Sequence, residues 1–79
     1  MLKLKIVSPE KIEFDGEVES VLVPGTLGSF EILNNHAPLV SSLNKGVVEY
    51  KAADGKHRLD IVAGFVSVKR NEVNVCVEL

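Results

Sequence analysis

The sequence predicts an all-β domain, built as a sandwich or a flattened barrel. Apolar and polar residues alternate with a period of two along most of the 79 residues, and no stretch has the apolar spacing of a helix. Turn-forming residues recur about every eight to twelve positions. Such a chain forms roughly eight to ten short strands and closes its core by packing sheet on sheet.

The first two strands are predicted on either side of Ser8-Pro9-Glu10, which is a turn signal. Residues 2–6 alternate leucine or isoleucine with lysine, so this strand has one buried face. In the second strand Ile12 and Phe14 alternate with charged residues, and we expect both on the buried face. Asp15-Gly16 predicts a turn directly after them.

Two central segments are rich in β-branched residues, which favour strands. Residues 18–23 run up to a predicted turn at Pro24-Gly25. Residues 46–52 follow a predicted turn at Asn44-Lys45-Gly46. Both segments are bounded by Gly, Pro or Asn, the turn-forming residues expected at the ends of short strands.

Two hairpins are predicted in the second half of the chain. Asp54-Gly55 is the strongest local signal, because both residues tolerate positive φ. Arg70-Asn71-Glu72 is predicted to join residues 65–69 to residues 73–78, where three valines alternate with Asn74 and Cys76. No linker or repeat interrupts the chain, so residues 1–79 form a single β-sandwich domain.

Composition excludes several classes of protein. The apolar fraction is 46%, which is enough to fill a small core, and the net charge is only −2. Because Lys and Arg form no basic stripe, we expect no nucleic-acid partner. No apolar run approaches the ~18 residues of a membrane span, so we expect no direct lipid insertion. The single cysteine, Cys76, has no internal disulfide partner and suits a reducing compartment.

No set of residues predicts catalysis or cofactor binding. His36 and His57 lie in different segments, and neither has a second histidine at the spacing of a zinc site. The run from Gly25 to Ser29 lacks the Gly-Lys-Ser/Thr ending of a phosphate-binding loop. We therefore expect no enzyme activity, no metal and no cofactor.

The most informative segment is residues 23–39. It holds two of the three prolines, two of the six glycines and one of the two histidines, so its backbone has a specified shape. Phe30 and Ile32 share one strand face and are expected in the core. Leu27, at a predicted loop tip, is the candidate for an exposed apolar contact. For His36 two roles stay open: bonding loop carbonyls, or contacting a partner.

This segment carries a family resemblance. The pattern Gly25-x-x-Gly28-x-Phe30-x-Ile32-Leu33-x-x-His36-Ala37-Pro38 resembles the signature of the epsilon subunits of F-type rotary ATP synthases, called delta in mitochondria. The opening Leu4-x-Ile6-Val7-Ser8-Pro9-Glu10, the stretch Asn44-Lys45-Gly46-Val47-Val48 and the closing hairpin from Ala63 are also similar to that family. The similarity covers all 79 positions in family order.

The resemblance implies a ten-stranded sandwich of two five-stranded sheets. It also implies a non-catalytic part of the rotor, which links the gamma subunit of the central stalk to the polar loops of the c-ring and supports proton-driven ATP synthesis. The complex would lie at the cytoplasmic face of the bacterial inner membrane, and the chain alone would be a monomer. Relatives commonly continue into a C-terminal helical hairpin; this chain ends at Leu79, so we expect no such hairpin in these residues.

Matching by position also implies two contact surfaces. The residues that match the c-ring-facing loop are Thr26, Leu27, Gly28 and Ser29. The residues that match or adjoin the gamma-facing side are Ser8, His36, Ala37, Pro38, Val40 and Ser41. Some relatives carry an acidic residue where Ser29 stands; Glu31 could replace its charge only if it points the same way.

The alternative function is a free-standing sandwich that binds peptide or carbohydrate. Carbohydrate sites usually present exposed aromatic rings as stacking platforms. This chain has only Phe14, Phe30, Phe65 and Tyr50, and most of them are expected at inward positions.

Overall fold

The computed structural model describes residues 1–79 and contains nine strands and no helix. In chain order the strands are β1 (Leu2–Val7), β2 (Ile12–Val18), β3 (Ser20–Gly25), β4 (Gly28–Ile32), β5 (Leu39–Leu43), β6 (Gly46–Ala52), β7 (Gly55–Ile61), β8 (Ala63–Lys69) and β9 (Glu72–Glu78).

The strands form one continuous sheet that folds on itself. Five strands follow one another in the order β2-β1-β9-β8-β5, and four in the order β4-β3-β6-β7. The two groups join where Gly25 at the end of β3 pairs with Leu43 at the end of β5. All neighbours are antiparallel except β1 and β9. The all-β sandwich is confirmed; its sheets have five and four strands, one strand fewer than the resemblance implies.

The core lies between the two groups of strands. Fifteen buried apolar side chains form one cluster, and most are valines on alternate positions of their strands. Leu2, Leu4 and Ile6 of β1 are fully buried, as the alternation predicts, and Val75 of β9 pairs with Ile6. The short β-branched side chains interdigitate on a pleated surface, so a thin sandwich fills without many aromatic rings.

The predicted burial of Ile12 is wrong. Phe14 lies opposite Ile6 and faces the core, but the register then shifts, so that Ile12 lies opposite Val7. This irregularity resets the alternation of β2 and turns Ile12 to the outer face, where its side chain is 53% exposed. Only the pairing of β1 with β2 determines that shift.

The turn predicted at Asp15-Gly16 is also wrong. Gly16 pairs with Leu4 inside β2, and a Cβ at this glycine would lie 3.2 Å from the Phe14 ring. The glycine therefore makes room for an aromatic ring, while the chain bends at Glu19, after Val18. Residues 18–23 are accordingly not one strand, because Val18 ends β2 and Ser20 begins β3.

Other turns are found within two residues of their predicted positions. Pro24-Gly25 ends β3, and the turn itself is Thr26–Leu27. The hairpin of β6 and β7 is confirmed, with Gly55 at positive φ (122°) as the first residue of β7. The hairpin of β8 and β9 is confirmed as well.

Candidate functional site

The β3–β4 hairpin presents an uncharged tip. Its two-residue turn is Thr26–Leu27, and Gly28 follows with a φ of 128°, a value that favours glycine. Leu27 is fully exposed at 103%, as predicted for a residue at the loop tip. A large apolar side chain in this position is held out to the solvent by the turn itself.

Tight packing beneath the tip fixes its direction. A Cβ at Gly25 would lie 2.7 Å from the Gly28 carbonyl oxygen and 2.8 Å from the Phe30 ring, so only glycine fits there. Ile32 is fully buried and Phe30 packs against the core, as predicted. The hairpin is therefore anchored through the inward face of β4.

Ser29 and Glu31 lie on the other face of β4. Ser29 pairs with Pro24 and Glu31 with Leu22, and both side chains are exposed. Because they are two residues apart in a strand, they point the same way. Glu31 thus meets the geometric condition for supplying a charge near Ser29.

The loop of residues 33–38 carries His36. The amide of His36 donates to the carbonyl oxygen of Leu33 over 3.2 Å. Nδ1 of His36 lies 2.7 Å from the carbonyl oxygen of Ala37, and a carbonyl can only accept, so Nδ1 carries the proton. Of the two roles left open for His36, the bond to a loop carbonyl is thereby confirmed, and Nε2 remains available to a partner.

A shallow depression joins the two predicted surfaces. Its volume is about 450 Å³, and it is lined by Gly25, Leu27, Gly28, Ser29, Phe30, His36, Leu39 and Ser41. Three of the four residues predicted to face the c-ring therefore share a surface with two residues predicted to face gamma. Thr26 lies at the hairpin tip beside it.

The remaining gamma-facing candidates divide between two other places. Pro38 and Val40 line a separate depression of about 410 Å³ with Ser67, on the outer face of β5; Ala37 is exposed next to them. Ser8 lies in the β1–β2 turn and is 7% exposed. Its hydroxyl donates to Oε2 of Glu13 (3.0 Å) and accepts from the amide of Lys11 (3.3 Å), so this side chain closes the turn.

A partly exposed apolar row next to Ser8, with Ile12 and Phe65 exposed and Val7 and Cys76 half-buried, was not predicted from the sequence. Ile12, Val7, Cys76 and Phe65 lie opposite one another on four neighbouring strands, and Phe65 is 50% exposed. The sequence predicts most of the aromatic rings at inward positions, and Phe65 is an exception to that prediction. The sequence does contain a signal for this row. Phe65 and Ser67 on β8, and Asn74 and Cys76 on β9, alternate with the buried Val66 and Val75, so they lie on the opposite face of the sheet.

The second histidine belongs to a different cluster. The His57 ring stacks on Tyr50 with centroids 5.2 Å apart, and Nε2 of His57 lies 2.8 Å from Oδ1 of Asp54. That hydrogen bond lowers the pKa of Asp54. Burial, followed by the carboxylates of Asp54 and Glu13, raises the pKa of Tyr50. No group of three or more His, Cys, Asp or Glu side chains is placed to hold a metal ion.

No helix in the structure is long and apolar enough to cross a membrane.

Comparison with known proteins gives one consistent family. The family model described as the β-sandwich domain of the ATP synthase delta/epsilon chain matches residues 1–79. The ATP synthase epsilon chain of Leptospira interrogans (serovar copenhageni) is 43% identical over 77 residues, which cover 98% of this chain and 61% of the relative. The epsilon chain of Nitratiruptor sp. is 44% identical over 78 residues, covering 98% and 60%. The chain thus spans about three fifths of the length of these relatives.

Solved structures agree in fold. A chain in the cryo-EM structure of the Euglena gracilis mitochondrial ATP synthase (OSCP/F1/c-ring) matches with a TM-score of 0.89 and 22% identity, covering 96% of this chain and 49% of that one. A chain in the central stalk/c-ring structure from Tetrahymena thermophila matches with a TM-score of 0.81 and 17% identity, covering 99% and 63%. With a family model matched from the first residue to the last, and the same sandwich in both structures, this chain belongs to the ATP synthase delta/epsilon chain β-sandwich domain family.

Proposed function

We propose that the domain is a non-catalytic rotor part of an F-type ATP synthase, in which it joins the gamma subunit of the central stalk to the c-ring. Thr26, Leu27, Gly28 and Ser29 would contact the polar loops of the c-ring. His36, Ala37, Pro38, Val40 and Ser41, with the turn at Ser8, would contact gamma. The complex would lie at the cytoplasmic face of a bacterial inner membrane.

The observation that carries this proposal is the continuous surface from Leu27 to Ser41. Leu27 is a fully exposed leucine at the tip of the hairpin, so its whole side chain is accessible to a partner. That tip shares its depression with His36 and Ser41, so one surface can lie against two neighbours at once. The relatives named as ATP synthase epsilon chains, and the fold shared with chains of central-stalk and c-ring assemblies, support the c-ring and the central stalk as those neighbours; gamma is the stalk subunit that we propose.

The small core supports a role that depends on docking. A chain of 8.6 kDa hides only about 60% of its extended surface on folding. Its stability is therefore expected to be a few kcal/mol, on the order of other small domains. Binding to a partner adds stability by mass action, as for any ligand that binds only the folded state.

Co-expression with the cognate gamma subunit tests the proposal. We expect the two chains to migrate together in size-exclusion chromatography, and the complex to bind detergent-solubilised c-ring. The chain alone should elute as a monomer. If the chain and gamma elute separately, the proposal fails; reproducible binding to a glycan or peptide array would then favour a free-standing binding module.

A further inference from the structure

One contact ties the loop that carries His36 to a distant hairpin. The backbone amide of Asn35 donates a hydrogen bond to Oδ1 of Asn71 over 2.6 Å. Nδ2 of Asn71 lies 3.5 Å from Oδ1 of Asn35, at the limit of a second bond. Both asparagines have positive φ, 64° and 63°, a conformation that asparagine tolerates better than most residues.

Asn71 is itself held rigidly. Arg70 and Asn71 form a two-residue turn between β8 and β9, and both have positive φ, which is the pattern of a type I′ hairpin turn. The carbonyl oxygen of Asn71 accepts the amide of Lys3 over 2.8 Å. The turn is thus fixed to the start of β1, and the Asn71 side chain is a firm anchor.

The loop has little else to hold it. Its other hydrogen bonds, from the amide of His36 to Leu33 and from the His36 ring to Ala37, stay inside residues 33–38. Most of its side chains are exposed, so burial contributes little to its order. The contacts to Asn71 are the only hydrogen bonds that join this loop to another element.

We propose that Asn71 is a positioning residue for the surface formed by Leu27, His36 and Ser41. Before the partner binds, Asn71 already holds residues 33–38, and with them His36, in the conformation that the partner contacts. This rests on the proposed function, since it takes the His36 surface to contact gamma. A loop that is already ordered loses less conformational freedom on binding, so the anchor raises affinity without touching the partner.

Three variants isolate the Asn71 oxygen. Asn71→Gly removes the acceptor but keeps a residue that adopts positive φ freely. Asn71→Asp keeps an oxygen in the same place and should restore the bond. Arg70→Gly is the matched control, because it makes the same substitution at the neighbouring turn position, whose side chain makes no hydrogen bond to the loop.

The first measurement is amide hydrogen exchange of Asn35 in the full chain, followed by NMR, with the melting temperature of each variant recorded. We expect exchange about tenfold faster in Asn71→Gly, which corresponds to about 1.4 kcal/mol of local opening. Asn71→Asp and Arg70→Gly should stay near the wild type. An unchanged Asn35 exchange rate in Asn71→Gly would overturn the proposal.

The second measurement is affinity for gamma by titration calorimetry. Asn71→Gly should bind roughly fivefold more weakly, and Asn71→Asp should recover wild-type affinity, which a general loss of stability would not do. Faster Asn35 exchange with unchanged affinity would also overturn the positioning role. Failure of the proposed function looks different, because then the wild type itself does not bind gamma.

Discussion

Val40 and Ser41, neighbours on β5, point to opposite faces of the five-stranded sheet. Ser41 lies opposite the buried Val66, on the inner side, and lines the depression beside His36. Val40 lies opposite Ser67 on the outer side and is 75% exposed. Because β5 is the last strand of that group, a partner can touch both residues only by covering the strand edge.

This geometry predicts that negative charge on either side of β5 weakens gamma binding. We expect Ser41→Asp and Val40→Asp each to reduce affinity at least about tenfold, roughly 1.4 kcal/mol, because an unpaired carboxylate would be buried at the contact. Titration calorimetry with gamma measures the effect, and circular dichroism checks the fold. Ala53→Asp, in the exposed β6–β7 turn, is the control and should bind normally. Undiminished affinity in either β5 variant would remove that face from the interface.

The hairpin tip predicts a separate contact with the c-ring. Leu27→Asp should leave the melting temperature unchanged, because the side chain is fully exposed and packs on nothing. It should weaken binding of the gamma complex to c-ring several-fold while leaving gamma binding intact. A pull-down with solubilised c-ring measures this. Ala53→Asp again serves as the control. Lys51, two residues before Ala53, pairs with Ser20 at the start of β3, whereas Leu27 follows the end of β3, so the two substitutions lie at opposite ends of that strand. If Leu27→Asp and the wild type bound the c-ring equally well, the hairpin tip would not be part of the c-ring contact.

We expect a methyl group added at Gly64 to lower the free energy of unfolding much more than the same group added at Gly16. A Cβ at Gly64 would collide with the carbonyl oxygen of Cys76, and that atom belongs to the β9 backbone. At Gly16 the nearest atom is the tip of the Phe14 ring, 3.2 Å away, and a side chain can shift.

We therefore expect Gly64→Ala to lose about 3 kcal/mol or more in free energy of unfolding, and Gly16→Ala about 1 kcal/mol or less. Urea unfolding followed by circular dichroism compares them. Equal losses would mean that β9 moves away from β8 without penalty.

The hydrogen bond between Asp54 and His57 predicts that the stability of the fold decreases in acid. The hydrogen bond from His57 lowers the pKa of Asp54 in the folded chain. The stability that this hydrogen bond contributes is therefore fully present when the pH is above the ordinary aspartate pKa, near 4. That contribution is lost as the pH falls through the lowered value. His57→Phe keeps an aromatic ring against Tyr50 but removes Nε2, so the pKa of Asp54 should rise back toward its ordinary range.

NMR titration of the Asp54 carboxyl measures this shift directly. Lys56→Gln is the control, because it removes a neighbouring positive charge and keeps the hydrogen bond; the pKa of Asp54 should stay low. The stability difference between wild type and His57→Phe should shrink as the pH falls below 4. A pKa of Asp54 that is the same in both proteins would contradict the role given to His57.

Alternation predicted the fold class and much of the core. The inward residues of β1 and β9 follow directly from their period of two, because these two strands keep one register with each other from Lys3 to Val7. Leu27 was predictable as well, since a leucine between turn residues has no strand neighbour to cover it. The outward position of Ile12 was not predictable, since it depends on a register shift between β1 and β2. That of Phe65 follows from the alternation along β8, in which Val66 and Val68 are buried.

The amino-acid sequence by itself determined that the chain is a β-sandwich, which residues fill most of its core, and that residues 23–39 have a specified backbone shape with Leu27 exposed. Period-two patterning and turn chemistry suffice for this, because they act over a few neighbouring residues. Only the tertiary structure decided that Leu27 and Ser41 share one depression, that Val40 faces away from Ser41, and that Asn71 holds Asn35 from 36 positions away. Those relationships depend on strand pairing between distant parts of the chain, and local sequence does not specify the register of such pairs.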